Sequence, residues 1–505
     1  MIRKIVLCVF AMFALPAHSL DGEILVHDPS TVISENGHFY AYGTGIGLPI
    51  LMSDDGWTWR RAGSLMSAVP GGKAGSAVLA KGGANTWAPD VIHIGDKFFV
   101  YYSAPATQPR SAVGLLVCRT LDQSSPNYGC EDGGPVVWSD GIEDSNAIDP
   151  GVLLDPDGRL WLTYGSYFGY IRLVELDPKT GKRRYPDRPP VNIAINAEAS
   201  ILIYRDGWYY LLLTHGSCCI GANSTYNIRM GRSRKVTGPY LDTMGIDMIE
   251  GGGKSFAGSR GRHIGPGHFG LLDLGEGVQK FSLHYEADLD RGGASVLDIR
   301  PLLWRDGWPV AGDNLTAGVY SIESARTGTV LELAVQGSPV GGFRPRRPAP
   351  GQSSTGPAAT NPPPEPQAGP PIADQDPSQV AANWPVTTNV RLSPAMLQAQ
   401  QKWIIAPVAN VGGYPGAPYF RITIAGTERS LTATTGGELS ATAFTGAPEQ
   451  LWRIDQLTDG SYRISPKAVP GISESLALSA VGSSMPTLSK FDPASDRQRW
   501  LLGAP

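Results

Sequence analysis

The sequence predicts an all-β protein, a five-bladed β-propeller followed by a β-trefoil domain. Three observations carry this. An aromatic strand pattern recurs five times over residues 20–310. A shorter apolar strand signal precedes each copy. Three Gln-x-Trp signatures recur near the C-terminus at almost equal spacing.

Composition sets the limits. The 505 residues suffice for two or three domains. Gly (62) and Pro (42) make the chain turn-rich, which argues against a helical bundle. Lys+Arg 42 against Asp+Glu 46 gives a net charge of −4, so there is no basic field for nucleic acid or anionic lipid. A neutral polymer or small molecule is the easier partner, and a monomer is expected.

The repeated strands are NGHFYAYGTG, GDKFFVYYSA, DGRLWLTYGS, DGWYYLLLTHG and GVQKFSLHYEA, led by Phe39, Phe98, Trp161, Trp208 and Phe281. Their spacings of 59, 63, 47 and 73 residues hold short strands and Gly turns. Period-2 alternation punctuated by turns means β-hairpins, and five units at this spacing mean five propeller blades. The preceding signals are HDPSTVI, WAPDVIHI, IDPGVLLD, AEASILIY and GPGHFGLL. Matching positions of a propeller's inner strands converge on the axis. Three of these starts carry Asp28, Asp149 and Glu198. Carboxylates brought together shift one another's pKa, as acid–base chemistry requires.

Residues 1–19 read as a secretory signal peptide. Arg3 and Lys4 precede an apolar run from Ile5 to Leu15, and Ala17-His18-Ser19 is a small-x-small cleavage site. No other apolar stretch reaches the ~20 residues of a membrane span. The mature chain is expected to be secreted or periplasmic, where disulfides are possible. Cys118 and Cys130 flank a Pro-Asn-Tyr-Gly turn and suit a local bridge. The adjacent Cys218 and Cys219 either form a vicinal disulfide or remain two thiols. This spacing does not make a zinc site.

The propeller is assigned to residues 20–313 and the trefoil to 314–505. Gln401-Lys402-Trp403, Gln450-Leu451-Trp452 and Gln498-Arg499-Trp500 lie 49 and 48 residues apart, implying three lobes. Residues 341–390 hold 12 prolines and read as a disordered or polyproline II insertion within the first lobe.

The motifs His27-Asp28-Pro29-Ser30, Trp87-Ala88-Pro89-Asp90, Asn146-Ala147-Ile148-Asp149-Pro150, Tyr164-Gly165-Ser166-Tyr167, Ala197-Glu198-Ala199-Ser200 and Gly265-Pro266-Gly267-His268 resemble those of arabinanases in family 43 of the glycoside hydrolases. The stretch Thr214-His215-Gly216-Ser217-Cys218-Cys219, with Asn223-Ser224-Thr225-Tyr226-Asn227, is similar to that of α-1,5-L-arabinanases. The resemblance covers about residues 22–310. It implies an inverting hydrolase acting on arabinan or arabino-oligosaccharides. Asp28 would be the general base, Glu198 the general acid, and Asp149 the carboxylate that raises the acid's pKa and holds its orientation. Trp87, Asn146, Ser166 and His215 are the candidate sugar contacts. His268 would hold a calcium ion, largely through waters. The C-terminal part resembles ricin-type trefoils, with Glu332 as the one candidate lectin carboxylate.

Two other readings share these residues. An exo-acting α-L-arabinofuranosidase or β-xylosidase has the same fold and triad. A non-catalytic carbohydrate-binding propeller has no need of three converging carboxylates.

Overall fold

The structure, a computed structural model, describes residues 20–66, 72–78, 85–106, 108–142, 144–335, 381, 384 and 389–504. The expected signal peptide, residues 1–19, and nearly all of the expected Pro-rich insertion, residues 341–390, lie outside the described residues. Among the described residues no helix is long and apolar enough to cross a membrane. The chain divides into two compact units. The first is Met1–Thr316 with Ala409–Tyr419 and Asp455–Gly460; the second is the remainder.

The first unit is a five-bladed propeller. Each blade is a meander whose neighbouring strands are mostly consecutive in sequence. The five predicted aromatic segments are the second strands of the blades: His38–Tyr42, Lys97–Pro105, Leu160–Tyr164, Trp208–His215 and Gln279–Asp288. Four of them are largely apolar on both faces because each blade is covered on both sides, whereas the fifth carries Lys280, Ser282, His284, Glu286 and Asp288 along one buried face. In Lys97–Pro105, Phe98, Phe99, Tyr101 and Tyr102 are all buried. Such strands read as near-continuous apolar runs rather than as clean alternation. Asn36-Gly37, Asp206-Gly207 and Asp306-Gly307 all have positive φ and join paired strands through two-residue turns. That is the backbone a type I′ hairpin demands.

The ring closes through the N-terminal segment. Asp21 and Gly22 pair in parallel with Thr58 and Trp59 of the first blade. Val26 N–H donates to the Ser295 carbonyl, and Leu297 N–H to that of Ile24, in the fifth blade. One short segment therefore joins the first and last blades. Cys118 and Cys130 are disulfide-bonded on paired strands, and Cys218 and Cys219 form a vicinal disulfide.

The second unit is also built of strands, from Gly318–Ser324 to Trp500–Gly503. Its Gln-x-Trp residues repeat one set of contacts three times. Trp403, Trp452 and Trp500 are fully buried, and each Nε1–H donates to a backbone carbonyl, of Leu331, Leu431 and Leu478. Gln401, Gln450 and Gln498 each accept a backbone N–H, from Met396, Thr445 and Asp492. Glu332 is not open to a sugar. Its carboxylate is engaged by Arg391 and by Gln401 Nε2.

Candidate active site

Five residues with positive φ mark the blade starts: Asp28 (49°), Ala88 (40°), Asp149 (56°), Ala199 (50°) and His268 (55°). Pairing slips beside three of them, between Trp87 and Asp90, Glu198 and Ile201, and Gly267 and Gly270. A left-handed residue at a bulge re-aims neighbouring side chains, here toward the cavity, and Asp and His tolerate it better than branched residues do. Such conformations cost of order 1–3 kcal/mol each and persist where surrounding contacts hold them.

Those contacts form a ring. Each left-handed amide donates to a side chain of the preceding blade: Ala88 to Thr44 Oγ1 (2.9 Å), Asp149 to Ser103 Oγ (2.9 Å) and Ala199 to Asp149 Oδ2 (3.2 Å). His268 donates to Thr214 Oγ1 (3.1 Å), and Asp28 to His284 Nδ1 (2.8 Å). Four of the five acceptors thus lie in the repeated aromatic segments and set the axial backbone of the next blade; the fifth, Asp149, is itself a blade start.

Asp28, Asp149, Glu198 and His268 line one cavity of about 840 Å³. Its walls include Trp87, Tyr167, Phe168 and the Cys218–Cys219 pair. The three carboxyls differ in environment. Asp28 is buried, which would favour its neutral form, but His268 Nδ1 at 3.1 Å and His27 Nδ1 at 2.8 Å outweigh this and hold it well below the usual carboxylate range. Thr44 Oγ1 also donates to it, at 2.6 Å. Burial raises Glu198, against hydroxyl bonds from Tyr226 and Ser166, the latter at 3.1 Å. Burial also pushes Asp149 up to about 8, and Glu198 adds to that rise. For His27 burial opposes the charge, but Asp28 and Glu286 push it up to about 10. One carboxylate is thus kept ionised beside a pair that retains a proton near neutrality.

Four candidate sugar contacts are divided by the structure. Trp87 and Ser166 line the cavity, and Ser166 spends its hydroxyl on Glu198. Asn146 and His215 do not line it. Asn146 is fully buried, with Oδ1 accepting from Ser111 Oγ at 2.6 Å, so it supports the wall. His215 has its carbonyl and ring against Asn227 Nδ2. Sequence reasoning assigned no role to Thr44, Tyr226, His27, His284 or Glu286. A signal existed for the last two. His284, Glu286 and Asp288 continue a polar row begun by Lys280 and Ser282 at every second position of one strand, and all five are buried.

A cavity holding one ionised carboxylate beside a pair of carboxyls with raised pKa, on a five-bladed propeller, is the arrangement of a glycoside hydrolase. Comparison with known proteins gives the family. The profile of Glycosyl hydrolases family 43 matches residues 23–309, and the chain belongs to that family. It is 36% identical to extracellular endo-α-(1→5)-L-arabinanase 1 of Bacillus subtilis (strain 168), over 56% of this chain and 87% of the relative. It is 33% identical to an extracellular exo-α-(1→5)-L-arabinofuranosidase of Cellvibrio japonicus (strain Ueda107), over 57% of this chain and 86% of that one. Among solved structures, an exo-1,5-α-L-arabinanase from a bovine ruminal metagenomic library matches with a TM-score of 0.53 and 36% identity. That match covers 57% of this chain and 96% of the other.

Proposed function

We propose that this chain is an exported, inverting arabinan hydrolase that cleaves α-1,5-L-arabinofuranosidic bonds in arabinan or arabino-oligosaccharides. The observation that carries the reading is the division of labour in one cavity. Asp28 is held anionic by two histidines, while burial raises Glu198 toward the protonated form that a general acid needs. Asp28 takes a proton from water as it attacks the anomeric carbon. Glu198 gives a proton to the departing oxygen on the opposite side, which inverts the configuration. Asp149 holds the acid in place through the amide of Ala199, the next residue. Trp87, Tyr167 and Phe168 supply flat apolar faces for the sugar rings.

Calcium belongs to the same proposal. His268 Nε2 is buried and has no hydrogen-bond partner among the described residues, so a nitrogen is free to face an ion. His268 would hold it with water as the remaining ligands, since calcium prefers oxygen. When bound, the ion supplies positive charge that steadies the carboxylates. The second unit is read as a ricin-type β-trefoil, supported by its threefold repetition of Gln and Trp contacts. With Glu332 occupied, packing or spacing suits it better than sugar recognition. The names of the relatives support export and include both endo and exo action. We take endo action as the first reading.

Digestion of linear arabinan tests the proposal, with products sized by chromatography and their anomeric configuration followed by NMR. A ladder of oligomers with inverted anomers is expected. Arabinose or one short product would mean exo action, and retained anomers would overturn the mechanism. Asp28→Ala should lose about 10²–10⁴-fold on every substrate, whereas Glu198→Ala should be partly spared on arabinosides with acidic leaving groups.

A further inference from the structure

Glu286 lies on the second strand of the fifth blade, and its side chain is only 2% exposed. The triad leaves it without a role. Buried carboxylates are costly unless paired, and this one has two imidazole nitrogens at ion-pair distance and one backbone donor. Its Oε1 lies 3.0 Å from His27 Nε2 and 3.2 Å from His284 Nε2. Its Oε2 accepts the backbone N–H of Cys219 at 2.7 Å.

Both histidines lead on to Asp28. The other nitrogen of His27, Nδ1, is 2.8 Å from Asp28 Oδ2. His284 Nδ1 accepts the Asp28 amide at 2.8 Å, so its ring proton sits on Nε2, toward Glu286. The side chain and the backbone of one residue are therefore both reached from one carboxylate. At the other end, Cys219 is joined to Cys218 and held at φ 64°. A disulfide between neighbours closes a small ring around one peptide and restricts the amide that Glu286 accepts.

We propose that Glu286 is a positioning residue for the hydrolytic base, acting through His27 and His284, and that the Cys218–Cys219 disulfide is its anchor. This rests on the reading of Asp28 as the base. Glu286 touches no substrate in this scheme. It keeps both imidazoles turned so that Asp28 faces the attacking water. The anchor is reducible. A dithiol passes two electrons and two protons to the S–S bond, leaving two cysteine thiols and its own cyclic disulfide, and the Cys219 amide is then free to move away.

Glu286→Gln keeps the shape and removes the charge. The expected result is a fall in kcat on the order of 10²-fold, as displacement of a reacting group by about an ångström can produce, with KM nearly unchanged. The loss should be equal on arabinosides with good and poor leaving groups, because water activation does not depend on the leaving group. Dithiothreitol treatment of the wild-type protein, with mass mapping of the opened bond, should give a smaller kcat loss that reoxidation reverses. Glu286→Gln should not respond to it. A Cys118→Ser/Cys130→Ser variant should respond as wild type does. If Glu286→Gln keeps wild-type kcat, or loses it only above a lowered Tm, the positioning role is overturned. If Cys218–Cys219 opens without changing kcat, the anchor is overturned. Asp28→Ala separates the two readings. Should it stay active, the base assignment itself fails; should it be inactive beside a fully active Glu286→Gln, only the positioning role fails.

Discussion

The amide of Ala199 donates to Asp149 Oδ2 at 3.2 Å, so the residue after the proposed acid is held by the third carboxylate of the site. Asp149 is linked to Glu198 by this geometry and also by charge, since Glu198 adds to the rise of Asp149. The two effects can be separated by removing the charge alone.

Asp149→Asn keeps an oxygen acceptor for Ala199 and removes the titration. Without a neighbouring carboxyl that can ionise, Glu198 should release its proton more readily, so the alkaline limb of kcat should move to lower pH. Stability should move the other way. Asp149, raised to about 8, contributes stability that is full below the ordinary carboxylate pKa and lost as pH rises through about 8. The variant's Tm should therefore hold between about pH 5 and 8, where the wild-type Tm falls. Superimposable profiles in both measurements would contradict the environment assigned to Asp149.

Tyr226 donates its phenol to Glu198 Oε1 and favours the ionised acid, against burial. Tyr226→Phe should push Glu198 up further and move the alkaline limb to higher pH. It also removes a bond from the carboxylate left after proton transfer, worth about 1.5–3 kcal/mol for a charged acceptor. On substrates with poor leaving groups kcat should fall roughly tenfold or more. An unchanged limb would mean that the bond does not form in solution.

Calcium is tested by removal. Exhaustive chelation should lower Tm or activity, and calcium should restore it more fully than magnesium, which demands a stricter ligand geometry. His268→Ala should be insensitive to both treatments. No metal in the purified protein by elemental analysis, together with no response to chelation, would leave His268 as a partner of Asp28 only.

Trp403, Trp452 and Trp500 should respond alike if the second unit has three equivalent lobes. Each Trp→Phe change leaves a buried carbonyl without its Nε1–H donor, at a cost of about 1–3 kcal/mol. Denaturant unfolding should show similar losses for the three, with hydrolysis of short oligosaccharides unchanged. One costly and two silent substitutions would break the threefold reading.

Export predicts a mature N-terminus near Leu20, checked by mass spectrometry of secreted material. Leu20 is itself buried, and its carbonyl accepts from Arg291. Material beginning at Met1 would refute cleavage.

The sequence by itself determined the repeat and the chemistry offered by the blade starts. Strand alternation and turn chemistry are local. Phe98 to Tyr102, Asn36-Gly37 and the HDPS, IDPG and AEAS signals could therefore be read without knowing what lies across the axis. Only the tertiary structure decided which carboxyl is ionised. A pKa depends on burial and on neighbours from anywhere in the chain, and Asp28 owes its state to His268 as well as to the adjacent His27. The same distance in sequence hid the ring of amide contacts, which joins Asp28 to His284 across 256 residues. It also removed Asn146 and His215 from the cavity lining, because a motif fixes a side chain's identity but not the direction in which the folded backbone points it.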